Sequence, residues 1–463
     1  MTDHTVAQVD DACAAAGRAA AEFGDLTAVP LTTRAAFLRG IADRLDEAAG
    51  ELIALAGEET GLAEGRLTGE LARTTGQLRL FAGVAEDGGF LDIVIEEGDP
   101  ALYRLNRPIG PVAVYAASNF PFAFSIAGGD TAAALAAGCP VVVKAHPGHP
   151  QTSRRTAELV LDALNEAPAK APEGTFAMVE GFEAGRALVQ HPAIRAAAFT
   201  GSTRGGRALY DLASGRRDPI PFYGELGSVN PVFVTPSAVR ERADEIARGF
   251  TASFTNSSGQ LCTKPGLLFL PAGHGFGDTL NRLADEIAPR PLLTSGIQDA
   301  FAEGLDDLAA RPGVSLLAGQ RSDGDPVPAV FSVPVSDLTP ELWEEHFGPA
   351  TLIVEYDTEE ELLAAAGAMP GSLTATVHAE PEDDRLADAL LDKVRDRAGR
   401  IVFNGWPTGV AVTAAMHHGG PWPATTSPSH TSVGTAAIRR FLVPVVYQNV
   451  PARLLPTPLK GRS

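Results

Sequence analysis

Cysteine is scarce. The 463-residue chain has three, Cys13, Cys139 and Cys262, and no CxxC pair. That excludes a disulfide framework and a cysteine-rich zinc site, and it leads us to expect a reducing, cytoplasmic setting. Positive charge is short as well. Lys plus Arg number 37 against 57 Asp plus Glu, a net charge of -20. No cationic face for nucleic acid is expected, although a small basic pocket for one phosphate remains compatible with this balance. A bilayer-spanning run is also missing. The stretch from Pro108 to Gly129 carries no charge, yet Pro108, Pro111, Ser118, Asn119 and Pro121 interrupt it, so it reads as strand, loop and helix start. The opening Met1-Thr-Asp-His-Thr lacks the basic and apolar regions of a signal peptide. We see neither repeats nor low-complexity tracts. What is there is 45% hydrophobic and 20% charged, the composition of a core-forming chain of two or three domains.

Apolar spacing organises the chain. Residues 4–90 read as helices. Asp3 or Thr5 caps a segment with Val6, Val9, Cys13 and Ala16 on one face. Pro30 opens a second with Phe37, Ile41, Leu45 and Ala48, and Leu62 to Leu80 forms a third. Alternation over residues 91–107, broken by Gly98-Asp-Pro, predicts a hairpin that projects and pairs with something else. From residue 109 short apolar runs alternate with helix-length segments. Strands are expected at Val112, Val141, Ala177 and Ala196, then at Val232, Gly266, Thr351, Ala375 and Arg400. This predicts an α/β chain with two doubly wound, mostly parallel sheets. The tail from Arg440 reads as one more strand. We therefore expect 1–90 and 109–226 as one domain, 227–426 as a second, and 91–108 with 440–463 as an oligomerisation element.

Several local constellations carry chemistry. Phe199-Thr-Gly-Ser-Thr-Arg-Gly-Gly-Arg follows a strand and opens a helix, where small residues leave N–H groups free for a phosphate. Its Gly201 to Gly206 spacing is not the GxGxxG fingerprint, so an ordinary strand-to-helix turn is the competing reading. Cys139, within Ala-Gly-Cys-Pro-Val-Val, reads as inert core, whereas Cys262 among Ser, Gly, Gln and Thr reads as an accessible thiol. Glu225 stands alone among apolar and glycine neighbours, as a general base with a raised pKa would, or as a surface carboxylate. Asn119 follows a buried strand and either donates to an oxyanion or caps a turn. His417-His418 carries no metal-ligand spacing and no accompanying acidic cluster, so no metal is expected.

In order along the chain, Ser118-Asn-Phe-Pro-Phe, Val143-Lys144, Phe199-Thr-Gly-Ser-Thr, Glu225-Leu-Gly, Gly259-Gln-Leu-Cys262 and Glu344-Glu-His-Phe-Gly-Pro349 resemble the motifs of the aldehyde dehydrogenase superfamily. Ala127-Gly-Gly-Asp-Thr-Ala, Lys144-Ala-His-Pro-Gly-His-Pro, His418-Gly-Gly-Pro-Trp-Pro-Ala-Thr-Thr and the ending Thr431-Ser-Val-Gly-Thr are similar to its 2,5-dioxovalerate (α-ketoglutarate semialdehyde) dehydrogenase branch. NADP-linked fatty-aldehyde dehydrogenases are similar in the same segments. Departures are Ser118 for the usual Trp, Ser228 and Val229 for the usual Gly and Lys, and His346 for the usual Ile. None removes a catalytic residue.

The resemblance implies an aldehyde dehydrogenase fold and oxidation of an aldehyde to an acid. Cys262 is then the nucleophile, Asn119 and the Cys262 backbone N–H the oxyanion donors, and Glu225 the base for thioester hydrolysis. Lys144, His146, Gly201, Ser202, Gly206, Glu345 and Phe347 bind the nicotinamide cofactor. Phe120, Phe124 and His418 face the aldehyde. NADP is expected over NAD, because the Glu that NAD-using relatives carry three residues after the Lys is Pro147 here. His146 or His149 then adds a donor for the 2′-phosphate. A homodimer or homotetramer is implied, the hairpin and tail strand pairing between subunits. The competing classes are a cysteine hydrolase acting through Cys262 and His418, and a non-enzymatic binding protein.

Overall fold

The structure, a computed structural model, describes residues 3–320 and 324–460. The chain divides into two compact units. One is built from the residues up to Gly224, Val412–Met416 and the chain from His430 on; the other from Glu225–Ala411 and His417–Ser429.

The first unit begins with helices Val6–Gly24, Leu31–Glu47, Ala49–Thr60 and Glu64–Asp87. Thr5 starts the first through a capping box with Gln8. The helix Ala49–Thr60 is an addition to the sequence reading. Ala48 follows the preceding helix directly, so the apolar spacing carries no break, and the end comes only at Gly61 with φ 67. Leu31–Glu47 and Ala49–Thr60 pack on the helix Pro150–Glu166, and Glu64–Asp87 on the helix Gly129–Ala137. Val6–Gly24 packs on a five-stranded sheet in the order Phe176–Val179, Val141–Lys144, Val112–Tyr115, Ala196–Thr200, Phe222–Glu225, whose first four strands run parallel. Both faces of its central strands are buried, which accounts for their continuous Val and Ala runs. The order reverses beside Val112–Tyr115. The loops after Tyr115 and Thr200 therefore leave the carboxyl ends of adjacent strands at the switch point, where such sheets bind ligands.

A second sheet of this unit is antiparallel: Val94–Glu96, Leu102–Pro108 and Leu442–Gln448. Its first strand has three residues, shorter than the alternation predicts, because Gly89–Leu91 forms a 3-10 turn and Asp92 takes φ 46. Leu105 packs with Leu455 and Leu459 beneath it. Hairpin and tail thus belong to the first unit.

The second unit is a seven-stranded sheet, ordered Ser315–Gly319, Ala329–Pro334, Ala350–Tyr356, Leu267–Pro271, Val232–Val234, Ser372–His378, Ala398–Phe403. All pairs are parallel except the first. Phe233, Phe269 and Leu352 face one core, Val232, Leu268 and Ile353 the other. Among the described residues no helix is long and apolar enough to cross a membrane.

Candidate functional site

Glu225 ends the strand Phe222–Glu225, and Cys262 lies in the segment that enters the strand Leu267–Pro271. The helix Pro236–Thr255 runs into a turn in which Ser257, Ser258 and Gly259 all have positive φ. A Cβ at Gly259 would meet the Gly348 carbonyl oxygen at 2.0 Å, so this loop closes only with glycine there. The loop delivers Cys262, half-buried, to the site. Asn230, fully buried, holds it: Nδ2 donates to the carbonyls of Cys262 at 2.8 Å, Lys264 at 2.9 Å and Ser228 at 3.1 Å. Its Oδ1 accepts from Ser228 Oγ at 2.8 Å and from the N–H and hydroxyl of Thr374.

Glu225 and His418 are buried beside the thiol. Leu226 N–H donates to Ala424 O, and Glu225 bridges Thr425, so the segment bearing His418 lies along the one bearing Glu225. His418 Nε2 is 2.9 Å from Glu225 Oε1 and 3.6 Å from Cys262 Sγ. Against an ionised carboxylate, which only accepts, Nε2 is the donor of this contact. All three functional atoms lie within 4.8 Å of one another. The arrangement offers a nucleophile, a base and a donor between them. Arg400 lies within electrostatic reach of the thiol, and burial lowers its own pKa.

Glu345 and Lys264 form a second pair. Burial raises the Glu345 pKa and lowers that of Lys264, and each charge partly restores the other. Lys264 Nζ donates to His346 O at 2.6 Å and Ala350 O at 2.7 Å, while the Ser228 N–H donates to Glu345. His346 is held to about 4 by burial and by Lys264, so it is neutral near pH 7. Phe347 is partly buried beside them.

In the first unit Asn119 is buried in the loop after Val112–Tyr115. Its carbonyl accepts from Arg66 Nη2 at 2.7 Å, and Arg66 pairs with Glu70. Glu70 Oε1 accepts the N–H groups of Phe122 and Ala123 at 2.7 and 2.9 Å. Phe120 and Phe124 meet edge to face at 5.3 Å, with the Arg66 guanidinium 4.5 Å from the Phe120 ring and that of Arg73 5.7 Å from Phe124.

Gly201 and Ser202 are exposed at the start of helix Thr203–Ser214, where Ser202 Oγ caps Gly205 N–H; Gly206 is buried one turn in. Lys144 ends the strand Val141–Lys144. Burial lowers its pKa, while Asp3 and Glu180 act in the opposite direction. His146 and His149 are the residues expected to add a donor beside Lys144, and burial lowers the pKa of both. Both ring nitrogens of His149 are engaged, by Ser153 Oγ and Ala117 O. Burial holds His146 to about 3 and Gly148 N–H donates to its Nδ1, leaving a neutral Nε2–H as its one donor.

The predicted residues therefore gather in two groups: Glu225, Cys262, His418, Glu345 and Phe347 in one unit; Asn119, Phe120, Phe124, Lys144, His146, Gly201, Ser202 and Gly206 in the other. Asn230, Lys264, Arg66, Glu70 and Arg73 escaped the sequence reading. Arg66, Glu70 and Arg73 follow i, i+4, i+7 on one helix face, which reads as a solvated stripe until its loop partners are known.

The aldehyde dehydrogenase family model matches residues 1–422. The chain is 46% identical over 474 residues to Alpha-ketoglutaric semialdehyde dehydrogenase 2 of Azospirillum brasilense, covering 98% of this chain and 89% of that one. It is 43% identical over 475 residues to the Alpha-ketoglutaric semialdehyde dehydrogenase of Acinetobacter baylyi, with the same coverage. Among solved structures, PnpE in complex with nicotinamide adenine dinucleotide superimposes with a TM-score of 0.80 at 25% identity, covering 96% of this chain and 90% of PnpE. Proline utilization A of Bradyrhizobium japonicum superimposes with a TM-score of 0.83 at 25% identity over 97% of this chain, which spans only 45% of that longer protein. The chain belongs to the aldehyde dehydrogenase family.

Proposed function

We propose that this chain oxidises α-ketoglutaric semialdehyde (2,5-dioxopentanoate) to 2-oxoglutarate with a nicotinamide cofactor. The observation that carries the chemistry is the convergence of Cys262, His418 and Glu225 within 4.8 Å. The identities of 46% and 43% to relatives of that name support the substrate. The first unit takes the cofactor-binding role and the second the catalytic one.

An aldehyde carbon is a poor hydride donor. Attack by the Cys262 thiolate forms a C–S bond and moves the carbonyl π electrons onto oxygen. The Asn119 amide and the Cys262 N–H are the donors assigned to that alkoxide, and losing one such donor costs about 10²–10³ in rate. The alkoxide pushes hydride off carbon, and the nicotinamide cofactor supplies the acceptor. The thioester left on Cys262 is then hydrolysed. Glu225 removes a proton from the attacking water, a role worth about 10²–10⁴. His418 aims the Glu225 carboxylate from 2.9 Å and sets an imidazole nitrogen beside the developing thiolate.

The cofactor's phosphates fit the exposed N-terminus at Gly201 and Ser202, with Lys144 as the cation two strands away, on the other side of Val112–Tyr115. Glu345, with Phe347 beside it, takes the nicotinamide ribose. Pro147 leaves no carboxylate to repel a 2′-phosphate, which supports NADP. Glu180 and Asp3 offset Lys144, however, and His146 is a neutral donor, so the preference rests chiefly on the missing carboxylate at Pro147. Arg73, stacked on Phe124, is the cation proposed for the substrate's own carboxylate. The exposed edge of Leu442–Gln448 supports assembly into a dimer or a pair of dimers, and the scarcity of cysteine, with no CxxC pair, supports a reducing, cytoplasmic compartment.

The test is single-turnover kinetics with the dioxo acid. Cys262→Ala should give no reduced cofactor. Glu225→Gln should give a burst of at most one equivalent per subunit, then slow turnover. Acid formed without cofactor reduction would make the protein a cysteine hydrolase. A higher kcat/KM for long aliphatic aldehydes would make it a fatty-aldehyde enzyme.

A further inference from the structure

We propose that Cys262, His418 and Glu225 are also a ready-made site for a zinc ion, which switches the thiol off reversibly. Thiolate, imidazole and carboxylate are the donor set zinc takes. Their ligand atoms lie within 4.8 Å of one another. A tetrahedral zinc with Zn–S about 2.3 Å and Zn–N about 2.0–2.1 Å sets sulfur and nitrogen about 3.6 Å apart. The separation of Cys262 Sγ from His418 Nε2 is 3.6 Å, so this edge of the polyhedron needs no movement. The edge from Nε2 to Glu225 Oε1, at 2.9 Å, opens by a few tenths of an ångström.

The backbone keeps the three groups together without metal. Asn230 fixes the Cys262 carbonyl, and the pairing of Leu226 with Ala424 and of Glu225 with Thr425 fixes the other two segments. Little ordering entropy is left for the ion to overcome. Glu225 and His418 are almost fully buried, so the half-buried thiol is the side from which an ion arrives. The other two cysteines do not compete: burial pushes Cys13 up to about 12 and Cys139 up to about 11.

Binding balances as follows. The Cys262 thiol gives up its proton to solvent, the imidazole moves its proton from Nε2 to Nδ1, and the carboxylate binds as it stands. One proton leaves per ion from the thiol, and affinity rises with pH. The fourth position stays open to water. The sulfur pair is then committed to metal and Glu225 no longer serves as a base. This inhibitory half rests on the function proposed above; the binding half does not.

The experiment titrates chelator-treated protein with ZnCl2 by calorimetry, and with Co2+ by absorption. One ion per subunit is expected, with a near-ultraviolet sulfur-to-cobalt charge-transfer band that Zn2+ abolishes. Cys262→Ser should lose the band and weaken Zn2+ binding about 100-fold or more. His418→Gln and Glu225→Gln, with melting temperatures checked for intact folding, should each weaken it tenfold or more. Wild-type turnover should fall over the same Zn2+ range and return with EDTA. No band in the wild type, or a band that survives Cys262→Ser, overturns the site. So does undiminished Zn2+ affinity in His418→Gln. Aldehyde oxidation without a band sinks the zinc site alone, whereas a band without aldehyde oxidation sinks the proposed function alone.

Discussion

His418 Nε2 and Glu225 Oε1 lie 2.9 Å apart although 193 residues separate them in the chain. Both are almost fully buried, and Nε2 also faces Cys262 Sγ at 3.6 Å. If this contact aims the carboxylate, His418→Ala should slow steady-state turnover about 10–100-fold, as loss of a positioned proton-transfer partner does. His418→Gln, which keeps a side-chain N–H, should recover part of it. The discriminating readout is the pH profile of Cys262 alkylation by iodoacetamide. It should change in His418→Ala and stay closer to wild type in His418→Gln; a profile identical in all three would remove the imidazole from the mechanism.

Arg73 should separate substrates by charge. It stacks on Phe124 and approaches Phe120 at 6.0 Å. A charged hydrogen bond is worth about 1.5–3 kcal/mol, tenfold or more in binding. Arg73→Met should therefore raise KM for the dioxo acid about tenfold or more, with under threefold change for propanal. Equal losses for both aldehydes would assign Arg73 to packing.

The buried pair Arg440 and Asp130, 2.7 Å apart, ties the segment Thr435–Phe441 to the helix Gly129–Ala137. Removing one partner leaves the other charged and out of water. Arg440→Met should lose about 3–5 kcal/mol in urea unfolding. A loss below about 1 kcal/mol would mean that solvent reaches Asp130.

Acid stability should report on His378. It is buried against Trp406, and burial with the nearby Arg242 charge holds it to about 4, below the ordinary value of 6.5. The unfolded chain binds this proton first as pH falls. Stability contributed by the neutral form is therefore complete above about pH 6.5 and is lost as pH falls through about 4. The whole effect is on the order of 3 kcal/mol. Urea midpoints from pH 7 to 4 should fall less steeply in His378→Phe than in the wild type; parallel curves would place the titration elsewhere.

The edge strand Leu442–Gln448 carries Val446, exposed at 54%. If this edge pairs between subunits, Val446→Asp should shift sedimentation toward the monomer at micromolar concentration. A wild-type monomer under those conditions would refute the assembly proposed.

What was legible in the sequence was local. The α/β alternation and both parallel sheets follow from short, fully buried strands, and Cys262 stood out from Cys139 because its neighbours are small and polar. Contacts between distant segments were not legible. His418 lacked an acidic neighbour in sequence because Glu225 comes to it from the other end of the unit. Arg66, Glu70 and Arg73 looked like a solvated stripe because the loop that consumes them is more than 45 residues away, as Arg66 to Asn119 shows at 53. Asn230 gave no signal, since one amide with six partners looks like any turn residue before a proline.

That proline has a chemical consequence. Asn230 is followed by Pro231. Spontaneous deamidation of asparagine proceeds when the next residue's backbone nitrogen attacks the side-chain carbonyl, and a proline nitrogen has no hydrogen to give up. The amide that donates to the Cys262 carbonyl is thereby protected from ageing into a carboxylate. An aspartate here would turn the three donor contacts to Cys262, Lys264 and Ser228 into oxygen facing oxygen. The loop that presents the thiol is thus guarded against slow chemical decay by the residue type that follows its anchor.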